Sequence, residues 1–142
     1  MDLRQLSPDL AVSPQIGLED VPLLAEAGFK VLVNNRPDNE VETEIDHNAM
    51  AAAAEAAGMT YHYLPFTPGQ ITPELIEGFG DAISGEKPVI AYCRSGNRCT
   101  VLWALDQAGK RSEQEILQTA AEAGYDLSGV VLLMRSLASN RG

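Results

Sequence analysis

Short apolar runs alternate with amphipathic stretches along this chain, and the alternation predicts strand and helix in turn over most of its length. Leu10-Ala11-Val12-Ser13 reads as a short edge strand closed by Pro14. A helix follows from about Leu18 to Ala27, with Glu19 and Asp20 in its first turn and Gly28 as its stop. Phe29 to Val33 is mostly apolar, as expected of a parallel strand buried on both faces. A second helix is predicted from about Ile45 to Ala57, ended by Gly58, and a third strand over Thr60 to Leu64. Thr72-Pro73-Glu74 supplies an N-cap, an N1 proline and an acidic first turn for a helix reaching about Ile83. The run Val89 to Tyr92 is the next buried strand. Helices then dominate: about Arg98 to Gln107, Ser112 to Ala123 with a capping box in Ser112-Glu113-Gln114-Glu115, and Leu127 to Leu137.

This order predicts an α/β fold: one three-layer domain over residues 1–142, with a central, mainly parallel sheet of four or five strands. The strand that ends at Cys93 should be central, with the C-terminal helices packed to one side. In such sheets the ligand site lies beyond the carboxyl ends of the strands. Three polar loops converge there: one holds Arg36 and Asp38, one Thr67 and Gln70, and one Cys93.

The third loop carries the chemistry. Cys93-Arg94-Ser95-Gly96-Asn97-Arg98-Cys99 links a buried strand to a helix, with Gly96 allowing a tight backbone turn. Successive amides there point inward, and the helix start adds its positive dipole end, which makes an anion cradle. Amide donors and Arg98 favour the thiolate and lower the pKa of Cys93, giving a nucleophile. A cysteine ending a buried strand is often only a packing residue. Two arginines and a glycine directly after it serve no packing purpose. Arg94, Ser95, Gly96, Asn97, Arg98 and Cys99 are thus the candidate anion-binding residues, with Arg36 from the neighbouring loop. Arg36 either joins the anion site or pairs with Asp38 or Glu40. Cys93 on a sheet edge, or buried out of reach of solvent, would count decisively against this site.

Composition narrows the partners. A formal charge of −10 opposes general attraction to nucleic acid or to an anionic membrane. No apolar run approaches the roughly 20 residues of a membrane helix, and the polar N-terminus lacks a signal-peptide core. Two cysteines form no disulfide framework, so a reducing, cytoplasmic setting is expected. His47 and His62 have no third ligand at metal spacing, so neither metal nor cofactor is expected, and Trp103 reads as core.

Several segments together carry a resemblance: Val12-Ser13-Pro14-Gln15, Ala27-Gly28-Phe29 leading into Asn35-Arg36-Pro37-Asp38-x-Glu40, and Ala91-Tyr92-Cys93-Arg94-Ser95-Gly96-x-Arg98 followed by Leu102-Trp103-Ala104. The chain resembles the bacterial phosphatase-like domain of beta-lactamase-hydrolase-like proteins, a family similar in fold to dual-specificity and tyrosine phosphatases. The resemblance implies a covalent phospho-cysteine mechanism, with Cys93 attacking phosphorus while the loop amides and Arg98 hold the other oxygens. The expected partner is a small oxyanion or a phosphorylated substrate.

Three features depart from that pattern. Cys93 and Arg98 enclose four residues, where Cys-based phosphatases have five; the shorter loop has the size of a rhodanese loop, whose cysteine carries a persulfide. Cys99 stands where a Ser or Thr often follows the Arg. Pro65 to Gln70 offers no mobile acid, which leaves Asp38 as the nearest proton donor. The sequence therefore keeps three readings open: a phosphatase-type hydrolase, a sulfurtransferase using Cys93, and a module that only binds anions or phosphoproteins. The oligomeric state is not encoded in any feature of the sequence.

Overall fold

The computed structural model describes residues 1–141. Its sheet has five strands, β1 (Arg4–Ser7), β2 (Leu10–Ser13), β3 (Val31–Asn34), β4 (Thr60–Tyr63) and β5 (Val89–Tyr92), in the order β1-β2-β5-β3-β4. β5 is the middle strand and pairs in parallel with β2 and β3, and β4 continues the parallel run. Only β1 is antiparallel, folding back on β2 through Pro8 and Asp9.

Helices cover both faces. α1 (Asp20–Glu26) and α2 (His47–Ala56) bury Val21, Leu24, Met50 and Ala54 against Ala11, Leu32, Ile90 and Tyr92. On the other face α3 (Pro73–Ser84), α4 (Asn97–Gln107), α5 (Glu113–Glu122) and α6 (Val131–Arg141) pack with Val12, Val33, Val89 and Ala91. Alternate β5 residues thus enter opposite cores, and all four are buried. α4 is nearly enclosed, with Cys99 to Asp106 all buried, so Trp103 is a core residue. No described helix is long and apolar enough to cross a membrane.

The α/β layers and the central Cys93 strand follow the sequence reading, with some displacements. Leu10–Ser13 is the second strand, because the polar segment Arg4–Ser7 takes the edge with Leu6 as its one buried side chain. α2 starts at His47 because Asp46 caps it, its side chain accepting the Ala49 N–H at 2.9 Å; Ile45 falls in a preceding 3-10 turn. Thr72 and Ser112 cap α3 and α5 as expected, through the amides of Leu75 and Glu115.

Candidate active site

β5 ends at Tyr92, and the chain turns at once into the Cys93 loop and α4. Gly96 makes the turn with φ +90°, where a Cβ would lie 2.1 Å from the Tyr125 hydroxyl oxygen. This position therefore needs glycine for conformation and for space. The turn aims the Gly96 N–H at Cys93 Sγ, 3.1 Å away. Neighbouring segments tie the loop down. The Gln15 amide donates to the Arg94 carbonyl at 3.3 Å, and the Tyr125 hydroxyl donates to the Ser95 carbonyl at 3.0 Å. Tyr125 is braced in turn by Arg4, whose guanidinium lies 5.1 Å from the ring centroid and donates to the Ala123 carbonyl at 3.0 Å.

A hydrogen bond from the Cys99 side chain is the main influence on Cys93. Burial opposes it, the amides of Cys99, Ser95 and Arg98 reinforce it, and the pKa of Cys93 falls to about 6. Burial pushes Cys99 the other way, well above the usual thiol value. The two sulfurs therefore divide their roles, with Cys93 the thiolate and Cys99 its protonated donor. Cys93 itself has 0% exposure. The expectation of solvent access is not met: the structure buries the residue, with the Gly96 amide on its sulfur, and this burial counts against a site that is open as it stands.

Arg98 is held firmly. Its two terminal nitrogens donate to the Glu40 carboxylate at 2.8 and 3.0 Å, and one also reaches the Phe66 carbonyl at 3.2 Å. This guanidinium holds the Glu40 carboxyl below the usual range. Arg36 joins the same carboxylate, with Nε 3.5 Å from Glu40, and it also bonds to the Glu40 carbonyl and to the Gln15 side chain. Of the two pairings open to Arg36, the structure takes Glu40.

Asp38 is turned to another partner. One carboxylate oxygen accepts the His47 amide at 2.8 Å and the other meets His47 Nδ1. Partial burial raises its pKa, but hydrogen bonds from His47 and Tyr63 outweigh that and leave it below the usual range. The His47 ring stacks on Tyr63 with centroids 4.4 Å apart, and the Tyr63 hydroxyl accepts the Asp38 amide. The structure thus gathers Cys93, Arg94, Ser95, Gly96, Asn97, Arg98 and Cys99 in one turn, brings Arg36 to it through Glu40, and commits Asp38 to His47. Arg94, Ser95 and Asn97 are the exposed members of that turn.

Glu40, His47, Gln15 and Tyr125 are the contributors that sequence reasoning missed. Glu40 sits in the Arg36 loop, but its pairing with Arg98 spans 58 positions and has no local signature. The described residues contain no His, Cys, Asp and Glu cluster suited to a metal.

Comparison with known proteins gives the family and the fold. A beta-lactamase hydrolase-like protein from Xylella fastidiosa is 30% identical over 138 residues, covering 95% of this chain and 32% of the relative. The chain thus spans about a third of the length of the curated relatives it matches. A solved structure from Neisseria meningitidis, described only as a candidate phosphatase, is 34% identical, with a TM-score of 0.83 covering 96% of this chain and 99% of that one. The core catalytic domain of a PP-IP phosphatase from S. cerevisiae, solved with citrate, shares the fold at 14% identity and a TM-score of 0.70, covering 98% of this chain and 84% of its own. Residues 2–110 match the family described as beta-lactamase hydrolase-like protein, phosphatase-like domain, and the chain belongs to that family.

Proposed function

We propose that this chain is a cysteine-dependent hydrolase of the tyrosine and dual-specificity phosphatase type, acting on a small oxyanion ester or a phosphorylated substrate. The observation that carries this reading is the Cys93 sulfur, drawn to a pKa of about 6 and accepting the Gly96 amide at the base of a loop that ends in Arg98. A thiolate at neutral pH is the nucleophilic form. When the loop opens, Cys93 Sγ attacks phosphorus, the bond to the leaving oxygen breaks, and that oxygen takes a proton from the Asp38–His47 couple. Water then attacks phosphorus and returns a proton to the couple, the S–P bond breaks, and phosphate leaves with the thiolate restored. Arg98 and the loop amides hold the remaining phosphoryl oxygens, where negative charge is concentrated. Asp38 has a place in this reading as the carboxylate of an acid–base couple with His47. Membership in a phosphatase-like domain family, and likeness to the 34% identical Neisseria meningitidis structure, support the reaction class. A thiol that must remain reduced suits the cytoplasm.

A second reading, a sulfurtransferase carrying a persulfide on Cys93, is favoured by one observation. Cys93 and Arg98 enclose four residues, the size of a rhodanese loop. Sulfite leaving thiosulfate needs no proton donor, so this route does not depend on Asp38. The purified protein, incubated with an aryl phosphate and separately with thiosulfate plus cyanide, distinguishes the two. Phosphate release that disappears in Cys93→Ser supports the hydrolase. Thiocyanate formation alone supports the sulfurtransferase. Anion binding with neither product leaves a binding module.

A further inference from the structure

Beside the outer side of the Cys93 loop lies a cavity of about 410 Å³, bounded by the loop, by the segment after β4 and by the turn before α6. Phe66, Ile71, Val101 and Val130 give it an apolar wall, and Arg94 and Arg98 supply its charge. The chain carries 20 acidic residues against 10 basic ones, yet none of the ten residues lining this cavity is Asp or Glu. Arg98 is spoken for by Glu40. Arg94 is exposed, and among the described residues it makes no side-chain hydrogen bond or ion pair.

The larger cavity at the other end of the sheet, about 620 Å³, offers a contrast. Lys87, Lys110, Arg111 and Arg141 line it, but Asp9, Glu77, Asp81 and Asp106 line it as well. Lys87 and Lys110 are paired with Asp9 and Asp106. Of these two cavities, the one beside the Cys93 loop joins an apolar wall to an uncommitted cation. Such a wall favours a flat, apolar body, and a cation at its rim favours a negative group on that body.

We propose that this cavity holds the non-transferred part of the substrate, and that this part is a ring-sized apolar body carrying its own anionic group, which pairs with Arg94. Arg94 is thereby a specificity-determining residue, separate from the amides and Arg98 that hold the transferred oxyanion. The inference rests on the reading of Cys93 as a nucleophile toward an oxyanion ester.

Phosphonates test it without turnover, because their P–C bond is not hydrolysed. Calorimetric dissociation constants for methylphosphonate, phenylphosphonate and 4-phosphonobenzoate are measured on the wild-type chain, on Arg94→Gln and on Val130→Asp. The ring should tighten binding about tenfold over the methyl group through apolar burial. The carboxylate should add about a further three- to fivefold, the range of a solvent-exposed ion pair. Arg94→Gln should remove the second gain and keep the first, and Val130→Asp should reduce both. Equal binding of methyl- and phenylphosphonate, a carboxylate gain that survives Arg94→Gln, or no binding by any of the three overturns the proposal. Separate turnover of phenyl phosphate keeps the two readings apart. Turnover without the predicted ranking sinks only the Arg94 assignment, and the ranking without turnover sinks only the hydrolase.

Discussion

Arg98 and Glu40 form a two-pronged ion pair that bolts the Cys93 loop to the loop after β3, at 2.8 and 3.0 Å. The carboxylate engages both terminal nitrogens of the guanidinium. Glu40→Gln removes the charge while keeping the shape. It should speed alkylation of Cys93 by iodoacetamide about three- to tenfold and tighten sulfate binding by a similar factor, the range of a partly exposed charge interaction. Alkylation rates no faster than wild type would show that the pair does not limit access to Cys93.

Cys93 should alkylate with a midpoint near pH 6, the value at which its thiolate forms. The sign of its effect on stability follows. The native pKa lies below the unfolded one, so the unfolded chain binds more protons between pH 6 and about 9, and stability should fall as the pH is lowered through that window. Cys99→Ser keeps a hydroxyl donor toward Cys93 and should retain most activity. Cys99→Ala removes the donor and should move the alkylation midpoint up by about one pH unit, in line with the loss of one hydrogen bond. An unmoved midpoint in Cys99→Ala would exclude Cys99 as the donor.

Gly96→Ala meets both a left-handed backbone and the Tyr125 hydroxyl. Turnover should fall at least a hundredfold, and stability by about 1–3 kcal/mol from the backbone conformation. Tyr125→Phe removes the 2.1 Å contact but leaves the ring carbon at 3.0 Å and the backbone conformation, and on its own should cost only about 1 kcal/mol, one lost hydrogen bond. The double variant should therefore remain inactive. Recovery of activity in it would assign the defect to the clash alone.

Asp38→Asn probes the couple with His47. If the pair delivers a proton to the leaving oxygen, turnover of an alkyl phosphate should fall about 10²-fold, while an aryl phosphate with a stable phenolate should fall less than about threefold. Equal losses on both substrates would remove Asp38 and His47 from proton transfer.

The β2 to β5 framework was legible because its signals are local. Apolar four-residue runs, glycine stops and side-chain caps each act within one turn, and the Cys93 turn could be read for the same reason: its donors follow its sulfur in sequence. β1 escaped because Arg4-Gln5-Leu6-Ser7 buries a single side chain and draws its order from pairing with β2. The partners of Arg98 and Asp38 escaped for another reason. Two carboxylates lie within three residues of each other, and only the folded loop determines that Glu40 faces Arg98 while Asp38 faces His47. The burial of Cys93 was equally hidden, and the ties on its loop come from Gln15, Glu40 and Tyr125, each on a different segment.

The brace that runs from Arg4 through Tyr125 to the Ser95 carbonyl spans almost the entire chain, with 119 positions between Arg4 and the carbonyl it holds at Ala123. During synthesis, a nascent chain that has emerged as far as Asn97 already owns every strand of the sheet and the nucleophile itself. It does not yet own the tyrosine that fixes Ser95. The reactive turn therefore sets late, after the scaffold beneath it, and a ribosome stalled before Tyr125 would display the thiol on a finished sheet without its clasp.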